Sequence, residues 1–426
     1  RWRSRSSPVL VLPFRAAFLL RLRLLLSEPE PYDCEVLVVG AGPSGAELAR
    51  LLAQAGVDVL LVDRLRHLGQ AAFSSAALPL ETLDRFGIPA QVVAARWSGW
   101  QLVGPGDQRR LWSAGQPLGA VLDFGALRQW LADQAQSWGA RLQLGVTALG
   151  WHQDGAGVCT VVRDGAAGRR LLRSRWLVDA SGEGRALIGE QASLADPLVA
   201  GLGVEWLLQV DPEQQRPWAD RLSFFLGSDW VRQGYGWVFP MAPGQLKVGV
   251  CRLADPSRAQ PALALELGAL LRRCGLGHAE VLDRHGGRIR STLRRQEPHR
   301  LGRLIGLGDA VSTANLLGGE GIRHALTSAR VLAPLLLKAL AKPADSAGLD
   351  RYPSLLRREL GWRWSLSGRL ARRTWLGLAD AGADARLERL LAGLQTRRAE
   401  DLSALLFDYR FERYGLKALP YLLGWR

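Results

Sequence analysis

The stretch that most constrains this chain is Cys34–Asp63, CEVLVVGAGPSGAELARLLAQAGVDVLLVD. Glu35–Val39 is a short apolar, β-branched run of the kind a buried parallel strand requires, and it stops abruptly at Gly40-Ala41-Gly42-Pro43-Ser44-Gly45. Ala46, Ala49, Leu52 and Ala53 then share one helical face, and Gly56 follows where that helix must end. Val57–Val62 reads as a second buried strand that delivers Asp63. Each residue type has a mechanical use. Gly40 permits the tight turn, Gly42 lets backbone approach a pyrophosphate, and Gly45 lets the helix pack on the strand. The helix N-terminus presents free N–H groups to phosphates, and Asp63 lies where a carboxylate meets a ribose diol. A lone glycine fingerprint is weak. Strand, turn, helix, strand and terminal acid in order read as dinucleotide binding.

At 426 residues the chain has room for two or three domains, and nearly half of it is hydrophobic (48%). Its formal charge of +15 comes mostly from arginine; Lys247, Lys338, Lys342 and Lys417 are the only lysines. That balance suits an anionic lipid surface or a phosphorylated substrate. Nucleic acid is excluded as a partner by the lack of zinc spacing, recognition-helix signature and aromatic RNA-binding box. Cys34, Cys159, Cys251 and Cys274 have no paired spacing, so they read as reduced thiols of a cytoplasmic protein, and no metal site is expected.

Residues 1–31 begin with a basic, apolar run interrupted by Pro13, Arg15, Arg21 and Arg23, too broken to span a bilayer, and read as a poorly ordered leader. A short helix is expected at Leu80–Phe86, strands at Trp100–Val103 and Arg110–Trp112, and a helix over Gly125–Gly139. Arg141–Val146, Leu149–Gln153, Val158–Arg163 and Arg169–Leu172 alternate with Asp-Gly punctuation and are expected to form a β-meander. Trp176–Asp179 reads as a fresh apolar strand entering Ala180-Ser181-Gly182-Glu183-Gly184. From Gly201 to Leu253 the pattern is strand-rich, followed by a helix at Leu263–Cys274. Leu304–Leu307 is another buried-strand candidate, ending in Gly308-Asp309-Ala310, and a long amphipathic helix runs from Gly321 to Ala341. Helical, arginine- and tryptophan-rich sequence continues beyond Pro343.

Three glycine-centred turns therefore follow three apolar strands: Gly40–Gly45, Asp179–Gly184 and Gly308–Gly321. Asp309 at a strand end can reach a ribityl or ribose hydroxyl, and Gly318-Gly319-Glu320-Gly321 opens a helix whose N-terminus can face a flavin ring. A nicotinamide-only domain has no need of so late a return to its cofactor; an extended FAD does.

With these residues in hand, the chain from Tyr32 to Ala341 resembles the geranylgeranyl reductase family, within the p-hydroxybenzoate hydroxylase-like flavoproteins. GAGPSG, the late GDA and GEGI match that pattern. Most discriminating is Gly234-Tyr235-Gly236-Trp237-Val238-Phe239-Pro240 followed by Gly249, which is similar to the Tyr-x-Trp-x-Phe-Pro…Gly stretch lining the lipid cavity there. The resemblance implies an α/β fold: a Rossmann-type FAD-binding domain (32–98, 120–190, 296–345) interleaved with a mainly antiparallel sheet domain (99–119, 191–295), then a C-terminal helical region (346–426). It implies FAD, with NAD(P)H as electron donor. The expected cofactor contacts are Gly40, Gly42, Pro43, Ser44, Gly45, Asp63, Arg64, Arg128, Asp179, Gly182, Gly308, Asp309, Gly318, Gly319, Gly321 and Ile322. The expected substrate contacts are Tyr235, Trp237, Phe239, Pro240 and Glu205.

Three departures stand out. Gly69-Gln70-Ala71-Ala72-Phe73 replaces a Cys-Gly-Gly segment, Cys251 replaces a glycine, and Phe124 replaces an arginine. On their own terms, Tyr235, Trp237 and Phe239 are spaced by two and share a strand face, an apolar wall for an isoprenoid chain that also excludes water. No pair identifies itself as the general acid, and His324 reads as a packed histidine. The expected activity is reduction of C=C bonds in an isoprenoid or lipid. A flavin monooxygenase, a carotenoid-cyclase-like flavoprotein and a lipid- or flavin-binding scaffold remain open; a halogenase is set aside because no lysine precedes Lys247. Arg357, Arg358, Arg369, Arg372 and Arg373, interleaved with Trp362, Trp364 and Trp375, suggest an anionic membrane surface as a partner. The oligomeric state is not legible.

Overall fold

The computed structural model describes residues 31–70, 73–165 and 167–411, so the basic leader and the last fifteen positions lie outside it. β1 (Cys34–Val39), α1 (Pro43–Gln54) and β2 (Val59–Asp63) form the expected unit, with Val36 paired to Val59 and Val39 to Val62 in parallel. Both strands are covered on both faces, by helices over Val36, Val38, Val59 and Leu61 and by Val146, Val158, Leu172 and Leu187 over Leu37, Val39, Leu60 and Val62, which is why their sequences are unbroken apolar runs rather than alternating ones. Gly56, just past the helix, takes φ +82°, the left-handed cap that stops α1.

β3 (Ala77–Pro79), α2 (Leu80–Phe86), β4 (Val93–Trp97), β5 (Gly99–Val103), β6 (Arg109–Ser113), β7 (Gly119–Leu122) and α3 (Phe124–Ser137) follow. β3, β7 and β4 make a separate three-stranded sheet. α3 starts on Asp123, whose side chain accepts from Ala126 N, and it buries Leu127, Leu131 and Ala135 as its periodicity requires. β8 (Arg141–Leu144) corrects the expected meander: it pairs in parallel with β2. Gly145 at φ +76° then reverses the chain into β9 (Val146–Gln153).

β9, β10 (Val158–Asp164) and β11 (Gly168–Asp179) are antiparallel. The two strands expected at Arg169–Leu172 and Trp176–Asp179 are one. Its first half pairs with β10, and its second half lies parallel to β1, with Val39 opposite Asp179. The polar break between them, Arg173-Ser174-Arg175, is inside the strand; Ser174 is fully buried and Arg173 pairs with Asp154 at 2.9 Å.

β12 (Leu198–Gln209), α4 (Pro212–Gln215), β13 (Arg221–Leu226), β14 (Gly234–Pro240), β15 (Gln245–Leu253), α5 (Leu263–Arg273) and β16 (Glu280–Thr292) build the second large sheet, ordered β16-β12-β15-β14-β13-β5-β6. β16 has no counterpart in the sequence-based expectations. It is an edge strand rich in Arg and Gly, a composition that normally marks a loop and here keeps the edge from pairing further. β17 (Arg300–Leu301) and β18 (Leu304–Gly306) return to the first sheet, ordered β17-β18-β11-β1-β2-β8, and α6 (Ile322–Ala341) packs against α1. α7 (Tyr352–Gly377), α8 (Ala381–Leu394) and α9 (Ala399–Leu406) complete the described chain.

Candidate active site

The three glycine turns converge. A Cβ on Gly40, which sits at φ +108°, would lie 2.7 Å from the Ala180 carbonyl carbon, so the first turn rests on the second. A Cβ on Gly308, at φ +64°, would lie 2.9 Å from Ser44 Cβ, which seats the third turn on the first. The strands below hold the arrangement: Ala180 N donates to Val39 O (2.8 Å) and Leu307 N to Asp179 O (2.9 Å). Gly42 faces open space, with nothing within 4 Å of where a Cβ would be. That is the opening a pyrophosphate needs at a helix N-terminus.

The acids divide into two kinds. Asp63 Oδ2 accepts from Ala41 N (2.7 Å) and Oδ1 from Leu65 N (2.8 Å), so it braces the first turn while each oxygen retains capacity to accept a further bond. Asp179 is a correction. Its oxygens accept from Ser181 N (3.0 Å), Leu187 N (2.8 Å) and Ile188 N (2.8 Å), and it is fully buried, so it shapes the turn containing Gly182 instead of facing a cofactor. Asp309 is bound by Thr313 Oγ1 (2.8 Å), and a Cβ on Gly321 would stand 3.5 Å from its Oδ2. It therefore borders the start of α6 at Ile322. Burial pushes the Asp309 carboxyl up, against the pull of Thr313 and Arg185. Arg128 is buried and donates to Gln70 O (3.3 Å), and its positive charge bears on Asp63; Arg64 is exposed.

A mostly apolar cavity of about 250 Å³ joins the third turn to the second sheet, reaching Pro43, Asp309, Gly318, Gly319, Gly321 and Ile322 but none of Gly40, Asp63, Arg64 or Arg128. Gly318 and Gly319 are exposed, and a Cβ on Gly319 would stand 2.9 Å from Tyr235 Oη. The sheet therefore meets the cofactor cradle at Tyr235. Tyr235, Trp237 and Phe239 share the cavity face of β14 as their spacing requires, and all three are buried. Pro240 ends the strand opposite Leu246 and lies outside the cavity wall.

Glu205 is the second correction. It is 1% exposed and does not line the cavity; its Oε2 accepts from Trp237 Nε1 at 3.0 Å. The register explains the contact. Glu205, Gly249 and Trp237 stand in one row across β12, β15 and β14, and a Cβ on Gly249 would lie 2.5 Å from Trp237 Cε2. The indole thus lies over the missing side chain to reach the carboxyl one strand beyond. Glu205 Oε1 has no partner. Burial pushes this carboxyl up despite the nearby Lys247, Trp237 and His285. Lys247, lowered by its own burial, donates to Ser74 O at 2.7 Å.

Several contributors escaped the sequence reading. Trp375 of α7 packs against Tyr235 with the rings tilted (4.9 Å between centroids), and its Nε1 donates to Leu316 O and Leu317 O. Phe407, just past α9, packs on Trp97 and Trp100 and closes the same cavity. Both lie in the helical tail, where tryptophan-arginine alternation points to a surface rather than a wall. Phe73 and Phe224 also line the cavity. Glu320 is held by Arg323 (2.7 Å) and by Tyr409 Oη (2.8 Å). Burial works against its ionisation, yet Arg323 and His324 keep the carboxyl low. His324 is packed, as expected, and burial brings it to about 4. Burial raises the Cys251 thiol to about 12, which makes it an inert wall residue beside Tyr235.

A family model described as an FAD binding domain matches residues 33–364. The chain belongs to that FAD-binding family. Within it, the chain is 27% identical over 350 residues to a digeranylgeranylglycerophospholipid reductase of Methanopyrus kandleri, covering 77% of this chain and 83% of that one. It is 29% identical over 364 residues to a menaquinone reductase of Mycobacterium tuberculosis, covering 80% and 83%. Its fold matches a geranylgeranyl bacteriochlorophyll reductase-like protein of Thermoplasma acidophilum with a TM-score of 0.79 at 21% identity, covering 92% and 98%. The resemblance to geranylgeranyl reductases read from the glycine turns and the Tyr-Trp-Phe-Pro strand stands.

Proposed function

We propose that this flavoprotein reduces C=C bonds of an isoprenoid or lipid chain. The observation that carries the reading is the aromatic face of β14 meeting the third glycine turn at Tyr235 and Gly319. FAD fits the cradle: Gly40, Gly42, Pro43, Ser44 and Gly45 would hold the pyrophosphate, and Asp63, Arg64 and Arg128 the adenosine end. Gly308 and Asp309 would hold the ribityl chain, and Gly318, Gly319, Gly321 and Ile322 the ring, with Gly182 flanking. Arg128, one helical turn beyond Phe124, supplies a cation near the place where that arginine is missing. When bound and reduced, FAD supplies the hydride. The chain's own residues do the rest. Tyr235, Trp237 and Phe239 hold the apolar substrate and exclude water, Trp375 and Phe407 close the far wall, and Glu205 fixes Trp237 from behind.

We take the FAD-binding domain as 32–98, 120–190 and 296–345 and the sheet domain as 99–119 and 191–295, with the second sheet as roof over the cradle, and NAD(P)H as the electron donor. The test is anaerobic: protein reduced by NADPH, or by dithionite, is mixed with geranylgeraniol or a menaquinone, and the product is examined by mass spectrometry. Gain of hydrogen on the prenyl chain is the expected result. Hydroxylation that appears only when the mixture is repeated in air, with no hydrogenation in its absence, would assign a monooxygenase, and an isomerised product without net reduction a cyclase-like role.

Substrates of this kind reside in membranes. Among the described residues no helix is long and apolar enough to cross one. On α7, Arg357, Arg358, Arg369, Arg372 and Arg373 are exposed with Trp362 (62%), whereas Trp364 and Trp375 point inward, which narrows the expected tryptophan stripe to one residue. Gly361, at φ +84°, breaks the helix between Arg358 and Arg369; the exposed basic segments on either side of it are proposed to rest on anionic lipid. Flotation with phosphatidylglycerol liposomes but not with phosphatidylcholine ones is expected; equal behaviour would discard the idea.

A further inference from the structure

We propose that Phe73 is the length stop of the cavity, its ring filling a slot that a cross-strand glycine pair, Gly203 and Gly287, leaves open to a longer apolar chain. The inference rests on the prenyl-chain reading of the cavity. Across the second sheet, Tyr235, Cys251, Gly203 and Gly287 stand in one row, each opposite the next on β14, β15, β12 and β16. Side chains along this row shrink from tyrosine to cysteine to nothing as it approaches the sheet edge. Facing glycines forfeit strand propensity and cross-strand packing, so such a pair marks a place where something else must approach the backbone.

Here that something is Phe73. A Cβ on Gly287 would lie 2.6 Å from Phe73 Cε1, and one on Gly203 would lie 3.1 Å from Cζ. The ring lies directly on the backbone of both strands. It comes from the connection between β2 and β3 and takes no part in any strand. Its neighbour Ser74 is anchored to the sheet by the Lys247 ammonium, which sets where the ring falls.

The other end of the cavity is closed by fixed groups. Trp375 is pinned by Leu316 O and Leu317 O, and Phe407 is wedged against Trp97 and Trp100. The glycine pair, with the Phe73 ring over it, is where a chain longer than the cavity would find backbone with no side chain in its way. Adjacent strands lie about 4.8 Å apart, so the floor across the pair is close to the length of one isoprene unit.

The experiment uses the full-length, FAD-loaded protein and follows flavin absorbance during titration with geraniol, farnesol and geranylgeraniol. In the wild type, affinity is expected to stop rising with length before geranylgeraniol. Phe73→Ala should bind geranylgeraniol about tenfold tighter than the wild type, since a further buried isoprene unit is worth at least that, while leaving geraniol within about twofold. Gly287→Ala, which forces the ring into the cavity, should weaken the longer alcohols first. If Phe73→Ala does not fold, as judged by its melting transition, Phe73→Leu carries the same comparison. An unchanged length profile, or uniform weakening at every length, overturns the stop. No response to any prenyl alcohol in any of the proteins overturns the prenyl reading itself, and the stop with it.

Discussion

Gly45→Ala protein is expected to purify colourless and to remain so after incubation with FAD. A Cβ there would overlap the Gly40 carbonyl oxygen and stand 3.0 Å from Ala180 Cβ, both fixed parts of the first and second turns. Neither can yield without separating α1 from β1, a cost on the order of 3 kcal/mol, which displaces the N–H groups meant for the pyrophosphate. Gly42→Ala provides the contrast. Its Cβ would enter open space at φ −75°, an ordinary value for alanine, so melting temperature should stay close to that of the wild type. FAD affinity should nevertheless fall more than about tenfold, because that space is the approach to the phosphates. Flavin absorbance and thermal melts of the two variants read the difference. A yellow, stable Gly45→Ala protein would contradict the convergence of the turns.

The second large effect is expected at the seat of Trp237. Gly249→Ala puts a methyl where the indole lies, and the ring can leave only by releasing Glu205. Overpacking and a stranded buried carboxyl each cost on the order of 1–3 kcal/mol, and the cavity wall is lost with them. A fall of about a hundredfold in kcat/KM for the prenyl substrate is expected, with FAD retained. Glu205→Gln separates the bond from the charge, since an amide oxygen can still accept from the indole N–H. The carboxyl of Glu205 is raised in the folded protein above its ordinary 4.5. Below that pH it is protonated in both folded and unfolded chains, and its full contribution is present. As pH rises toward the folded value, unfolding releases a proton and the contribution is lost. The melting temperature of the wild type should therefore fall relative to Glu205→Gln from about pH 4.5 upward. A constant difference across pH would show that folding does not raise the Glu205 carboxyl.

What was legible in the sequence follows from how locally each feature is encoded. The βαβ unit at Cys34–Asp63 and the aromatic face of β14 depend on spacing within one or two elements, and both were read correctly. Asp179 and Glu205 could be placed at strand ends and on strand faces, but not their partners. Whether a carboxylate meets backbone N–H groups or a cofactor is decided by how the chain turns next, as it does at Leu187 and Ile188. β11 was read as two strands because its polar middle is satisfied by neighbours far off in sequence. β16 was missed because an edge strand carries the composition of a loop. Its alternation of Arg288, Ile289 and Arg290 was the available signal. Trp375 and Phe407 reach the cavity from a region with no motif at all, so only tertiary packing could reveal them.

The late position of the third turn bears on how the protein matures. A nascent chain that has emerged only as far as β16 already owns Gly40–Gly45 and the whole aromatic roof, yet lacks Asp309, the Gly318–Gly321 turn and β18. Tyr409, whose hydroxyl secures Glu320 at that turn, is synthesised later still. Cofactor loading thus waits until synthesis has passed the Gly318–Gly321 turn, and until then the roof's apolar face has neither flavin nor tail to shelter it.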